Sequence, residues 1–119
     1  MSTFVNPGAW ARTMNKRADS IQRSLETIVA STAIRIEGEA ARNTPVRTGD
    51  LRRGWQHKKM GRYVHEVSND VEYAAPIEFG FKHWRNGFIP GRHMLGQAVH
   101  VHEPMMRRKI QEALRRAIS

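Results

Sequence analysis

A chain of 119 residues has the length of one domain, which excludes a second independent core. With 39% hydrophobic and 26% charged residues it has the composition of a globular fold, which excludes wholesale disorder. Twenty Lys and Arg against eleven Asp and Glu leave a net charge of +9 that points to anionic partners, and the lack of cysteine excludes disulfides, thiol nucleophiles and thiolate zinc sites.

The first segment, residues 1–43, is expected to be helical. Trp10, Met14, Ile21, Leu25, Ile28, Ile36 and Ala40 recur at spacings of three, four or their sums. Asn6 before Pro7 suits an N-cap and first-turn pair, and Asn43-Thr44-Pro45 suits a stop, because proline disfavours helix at the residue before it. Lys16 to Ser20 is polar enough to interrupt the helix, with Asp19 or Ser20 capping a second one; one long helix and two shorter ones fit equally well. The apolar stripe fits a core helix and fits equally a seam against a neighbouring copy. The polar start carries no export signal and no apolar run is long enough to span a membrane, so the expectation is a soluble, unexported protein without a membrane partner.

Residues 44–61 read as a basic connector punctuated by Pro45, Gly49 and Gly54, with Asp50 capping one short turn and Gln56 to Met60 available as a strand. Over residues 62–80 the period changes to two. Val71, Tyr73, Ala75, Ile77 and Phe79 share one side, and Asn69-Asp70 separates this run from Arg62 to Ser68, which predicts an antiparallel hairpin with Pro76 at an edge or bulge. Residues 81–93 are aromatic, basic and rich in glycine and proline, the composition of an ordered loop. Residues 94–119 return to helix, with Pro104 in the first turn of a final helix whose stripe is Met106, Ile110, Ala113, Leu114, Ala117 and Ile118. The whole reads as one α+β domain, a long N-terminal helix and a C-terminal helix packed on a small antiparallel sheet.

Charge is segregated along the chain. Residues 46–63 carry Arg47, Arg52, Arg53, Lys58, Lys59 and Arg62 against Asp50, a net +5, whereas residues 64–80 carry Glu66, Asp70, Glu72 and Glu78, a net −4. Residues 104–119 are again basic at +4. Patches of opposite sign suit head-to-tail contacts between copies, which close into rings when the rotation permits.

Signatures of catalysis are sparse. The six histidines include His100-Val101-His102-Glu103, but residues two apart on a helix diverge and no His-Glu-x-x-His pair occurs. No phosphate loop, dinucleotide fingerprint or nucleophile elbow is present, and the expectation is a non-enzyme with no metal and no cofactor. Fifteen of the 20 basic residues are Arg, suited to bidentate contact with phosphate or carboxylate. Phe81, Trp84 and Phe88, interleaved with Lys82, Arg85 and Arg92, could stack bases, and the same mixture is what protein interfaces prefer; the second reading is favoured. A small basic ribonuclease or toxin-like protein using His83 or His93, and a plain DNA-binding module, are the alternatives.

Ala41-Arg42-Asn43-Thr44-Pro45-Val46-Arg47-Thr48-Gly49-Asp50-Leu51-Arg52-Arg53, followed by Tyr73-Ala74-Ala75-Pro76-Ile77-Glu78-Phe79-Gly80, resembles the gene-product-ten-like tail-component family of tailed bacteriophages. The likeness spans roughly residues 35 to 100. The chain departs from the pattern at Arg47, where an acidic residue is frequent, at Phe81, and at Arg92-His93-Met94-Leu95. The resemblance implies a structural virion protein of the neck, for tail completion or head-tail joining. By analogy it forms a homo-oligomeric ring, six-fold, between a head connector or stopper and a tail tube or tail terminator, with a lumen through which DNA passes. It implies residence in the virion at the head-tail junction, and in the host cytoplasm during assembly. The expected subunit-interface residues are Arg47, Arg52, Arg53, Arg62, Glu66, Glu72, Glu78, Phe81, Trp84, Arg85 and Phe88. In this scheme the basic turn of one copy meets the acidic hairpin of the next, and the Phe81 to Phe88 loop reaches another neck component.

Overall fold

The computed structural model describes residues 1–5, 19–45 and 49–118. Trp10, Met14, the Asn6-Pro7 cap and the Lys16 to Ala18 break lie outside the described residues, as does Arg47. The elements run β1 (Ser2–Val5), α1 (Asp19–Asn43), α2 (Gly49–Arg53), β2 (Trp55–Gly61), β3 (Val64–Asn69), α3 (Ala74–Phe79), β4 (Gly80–His83), β5 (Gly87–Pro90) and α4 (Met94–Ile118). The class is α+β, as expected, although the first residues form a strand rather than helix.

Two long helices and one three-stranded sheet make the core. Along α1, Ile21, Leu25, Val29, Ala33, Ile36 and Ala40 are buried at steps of three and four, one stripe of a 3.6-residue period. Along α4 the matching stripe is Met94, Leu95, Ala98, Met106, Ile110 and Leu114, while Ala117 faces solvent. The helices are antiparallel: Asn43 at the end of α1 donates from Nδ2 to the Met94 carbonyl at 3.1 Å, and Glu39 lies 3.6 Å from His102. The molecule measures 61 × 21 × 20 Å with a radius of gyration of 16.9 Å. A spherical domain of this length has about 13–14 Å, so the shape is a rod.

The C-terminal helix is continuous through Pro104, which corrects the expected break. Proline lacks the N–H that would bond the His100 carbonyl, a loss of roughly 3 kcal/mol in an unsupported helix. Here both sides of Pro104 carry the same buried stripe, its own ring faces solvent, and packing on α1 holds the helix together across the gap.

The hairpin also sits elsewhere. It joins β2 to β3 through Arg62-Tyr63, with β3 central in an antiparallel order β1-β3-β2 and a register shift between Lys59 and Gly61. Asn69, read from sequence as a turn residue, is instead a buried staple. Its Nδ2 donates to the Leu51 carbonyl at 2.7 Å and its Oδ1 accepts from the Val71 N–H at 3.1 Å. The run expected as the second strand folds as α3, leaving Tyr73, Ala75 and Phe79 exposed. Pro76 falls in the first turn of α3, where the N–H has no helical partner, so the residue read as an edge-strand signal marks a helix start.

Where the connector was expected, Thr44 ends α1 by accepting at Oγ1 from the Trp55 indole N–H (2.8 Å) and donating to the Ala40 carbonyl (2.7 Å). Leu51 on α2 then returns the chain to the core, fully buried.

One core group is titratable. His65 on β3 is buried, with Nδ1 lacking any hydrogen-bond partner among the described residues and the His57 ring 6.4 Å away. Burial, reinforced by the charges of His57 and Lys59, holds its pKa below the ordinary 6.5. The unfolded chain therefore binds this proton more readily than the folded one. The stabilisation is complete above about pH 6.5 and is lost as pH falls through the depressed value. Denaturant midpoints measured from pH 7.5 down to 5 (about the range where histidine titrates) are expected to fall for the natural protein and to fall less for His65→Phe. An equally steep profile in the variant would refute the assignment.

Candidate protein interface

The region that the sequence marks with Glu78-Phe79-Gly80 is a clasp. Glu78, 3% exposed, lies in the last turn of α3 and sends its carboxylate to the first turn of α4, accepting the Leu95 N–H at Oε1 and the Gly96 N–H at Oε2, both at 2.9 Å. The carboxylate caps a helix whose preceding residues, Gly91-Arg92-His93, offer no Ser, Thr, Asp or Asn. Backbone bonds close the same joint: the Arg92 N–H donates to Ile77 at 2.7 Å and the His93 N–H to Glu78 at 3.1 Å. Two glycines permit the approach. A Cβ on Gly91 would stand 2.2 Å from the Glu78 carbonyl oxygen, and Gly80, at φ +90°, would place one 2.6 Å from the Ile89 oxygen.

From this base the β4–β5 hairpin projects, where an irregular loop was expected. Phe81 pairs with Ile89, Lys82 with Phe88 and His83 with Gly87, and Gly87 turns the chain at φ +73°. His83 Nδ1 accepts the N–H groups of Arg85 and Asn86 at 3.1 and 3.2 Å, bracing the tip. Trp84 is 84% exposed, with the His83 ring stacked 6.0 Å away and the Arg85 guanidinium 5.0 Å from its centroid. Phe88 and Phe79 are each more than 60% exposed and Phe81 is partly so. Aromatic groups in such number on one projecting element, flanked by Lys82 and Arg85, form the composition of an interface centre. The exposure of Phe79 does not follow from the sequence, where alternation groups it with Val71, Tyr73, Ala75 and Ile77 on one side of a strand.

The expected interface residues thus divide. Phe81, Trp84, Arg85 and Phe88 come together on the hairpin. Arg52 is exposed on α2, and Arg53 pairs there with Asp50 at 2.6 Å. Glu72 is exposed, and Glu66 lies on the sheet between Lys58 and Phe4 in register. Arg62 and Glu78 are corrections to the complementary-charge scheme. Arg62 binds within its own chain, donating to Glu26 Oε1 at 2.5 Å and Gln22 Oε1 at 2.7 Å, and its hydrogen bond holds the Glu26 carboxyl below its usual range. Glu78 is enclosed by the clasp. Among the described residues no group of three histidine or acidic side chains is placed to hold a metal.

The clasp can be tested by substitution. Glu78→Ala strands two N–H groups and is expected to cost about 2–3 kcal/mol, lowering Tm by roughly 10 °C, with Glu78→Gln intermediate. Gly91→Ala should be similarly damaging. Thermal melts within about 2 °C of the natural protein for Glu78→Ala would show that the cap contributes nothing.

Comparison with known proteins adds a family. The family described as "Bacteriophage HK97-gp10, putative tail-component" matches residues 9–80, which run from before α1 through the end of α3 to Gly80 at the clasp. No curated protein and no solved structure matches the chain. With three-fifths of its residues matched, the chain belongs to the HK97-gp10-like family of bacteriophage tail components.

Proposed function

We propose that the protein is a structural component of the phage neck that completes the tail or joins it to the head. It assembles as a homo-oligomeric ring, six-fold by analogy, between a head connector or stopper and a tail tube or tail terminator, with DNA passing through the lumen. Its residence is then the head-tail junction of the virion, and the host cytoplasm before assembly. The observation that carries this reading is the β4–β5 hairpin. Trp84 and Phe88 stand in solvent at 84% and 64% exposure on a tip braced by hydrogen bonds, although the core has ample apolar residues without them. An exposed, preformed aromatic surface loses little entropy on docking and gains much apolar burial. Family membership supports the assignment to the tail, and the rod shape suits packing side by side around an axis.

Native mass spectrometry and electron microscopy of the purified protein, alone and mixed with connector and tail-tube proteins of the same phage, test this. A closed ring is expected, and Trp84→Ala with Phe88→Ala should weaken assembly or partner binding about 30-fold, or 2 kcal/mol, while leaving Tm nearly unchanged. A monomer at every concentration, indifferent to these partners, would overturn the proposal.

A further inference from the structure

The three-stranded sheet ends in two edges that are built differently. On β2, the exposed Lys58 and Lys59 and the register shift between Lys59 and Gly61 are devices that keep another strand from pairing. The other edge, β1, reads Ser2-Thr3-Phe4-Val5, with no charge and no bulge, and among the described residues no strand pairs with its outer side. Its free groups follow from the register. The Met1 carbonyl accepts the Asn69 N–H at 3.0 Å, so alternation gives Thr3 and Val5 to the β3 ladder and turns the N–H and C=O of Ser2 and Phe4 outward. Beside this edge lies a cleft of about 190 Å³, with Thr3 and Phe4 on one side and Ile36, Val99 and Met106 of the two long helices on the other. It is smaller than the roughly 300–1,000 Å³ of small-molecule sites and has room for one large side chain. Outward backbone groups beside a side-chain pocket are what an added strand uses, the first for affinity and the second for specificity.

We infer that the strand added at β1 is β4 of a second copy, a contact that rests on the ring proposed above and names the surface receiving each hairpin. The β4–β5 hairpin has two strands and no third, an arrangement only marginally stable by itself, and β1 lacks a neighbour; joining them supplies both. The clasp holds a copy's own hairpin in a separate sheet, so the strand comes from another copy. β1 and β4 are each four residues long, and β4 carries an N–H at every position, whereas β5 ends on Pro90. Phe81, the large apolar side chain of β4, then fills the cleft. Charge separates the two edges as receivers. Lys82 and Arg85 of the hairpin would meet Lys58 and Lys59 at β2, whereas no cation lines the β1 cleft, whose one charged side chain, Glu103, is paired with Arg107. Each copy gives one hairpin and receives one, the heterologous contact that closes into rings.

Native mass spectrometry of the intact protein and two variants tests it. Ser2→Pro with Phe4→Pro removes both outward N–H groups and spares the β3 ladder, so assembly should weaken about 30-fold while thermal melts stay close to those of the natural protein. Phe81→Asp, which would bring a carboxylate into the cleft beside Glu103, should weaken assembly from the other side of the same contact. Mixed together, the two variants are expected to form one-to-one dimers and nothing larger, because each keeps the surface that the other lacks. That pairing also shows that both are folded. A natural protein that is monomeric at every concentration would overturn the ring and this contact together. A ring that survives the proline substitutions, or folded variants that pair no better mixed than alone, would overturn the contact and leave the ring standing. A two-fold dimer lost with the prolines and kept by Phe81→Asp would overturn it as well, by making β1 its own partner.

Discussion

The Glu78 carboxylate ties the end of α3 to the start of α4, at a joint that two backbone hydrogen bonds also close. Helix α4 begins after Gly91-Arg92-His93 with no local cap, and His93 sits at φ +49°, a conformation that a non-glycine residue holds only under constraint. Without Glu78 the Leu95 N–H would be buried without a partner at the positive end of a 25-residue helix, and the Gly96 N–H would be left to solvent. With it, a negative charge stands where helix polarity favours one, and two charge-assisted bonds of about 1.5–3 kcal/mol each offset the loss of its hydration. An acidic residue at 3% exposure is thereby part of the architecture rather than a surface group.

The clasp also fixes where the hairpin points. β4 leaves directly from α3 at Gly80, and β5 returns within three residues to α4, so both ends are held by the one joint. Gly80 and Gly91 are the contact points at which the two backbones pass too closely for any Cβ. The tip is ordered independently by His83 accepting two backbone N–H groups. A base fixed by a buried ion and a tip braced by an imidazole keep Trp84 exposed without leaving it free to collapse onto the domain. The neighbouring His83 and Arg85 restrict the indole further, which lowers the entropy lost when a partner covers it.

Helical parts were legible because their signal is redundant. Ile21, Leu25, Ile36 and Ala40 repeat one period over five turns, and Thr44-Pro45 stops it for a reason intrinsic to proline. Between residues 62 and 80 the signal is short and local rules conflict. Alternation from Val71 to Phe79 is also what a six-residue helix with one half-buried side chain, Ile77, produces by chance, and Pro76 suits an edge strand and a first turn equally. Asn69-Asp70 has turn chemistry, yet Asn69 uses its amide on Leu51, a partner 18 residues away that no local rule can identify. The candidate interface was half legible for the same reason. Composition groups Phe81, Trp84, Arg85 and Phe88, which the structure places together and exposed on one hairpin, whereas the strand reading hides the exposure of Phe79, and local sequence shows Arg62 and Glu78 only as charges. Their partners, Glu26 and the α4 N-terminus, are distant in sequence.

A net charge of +9 is therefore not one property of this molecule. Part of it is neutralised locally, as at Arg62 with Glu26, Arg53 with Asp50 and Arg107 with Glu103, where it orders surface structure and is screened by salt. Lys82 and Arg85 accompany aromatic groups at the hairpin, where cations favour docking onto protein. Arg23 and Lys109, which have no carboxylate within 4.0 Å among the described residues, line a groove near the far end of α4, and a helix of 25 residues is about 37 Å long. Aromatic and cationic surfaces so separated cannot contact one small ligand together. The rod presents two chemically different ends, and the charge that the composition shows as a single sum is divided between ion pairs that order the surface, cations beside exposed aromatic groups at the hairpin, and cations at the far end of the helix pair.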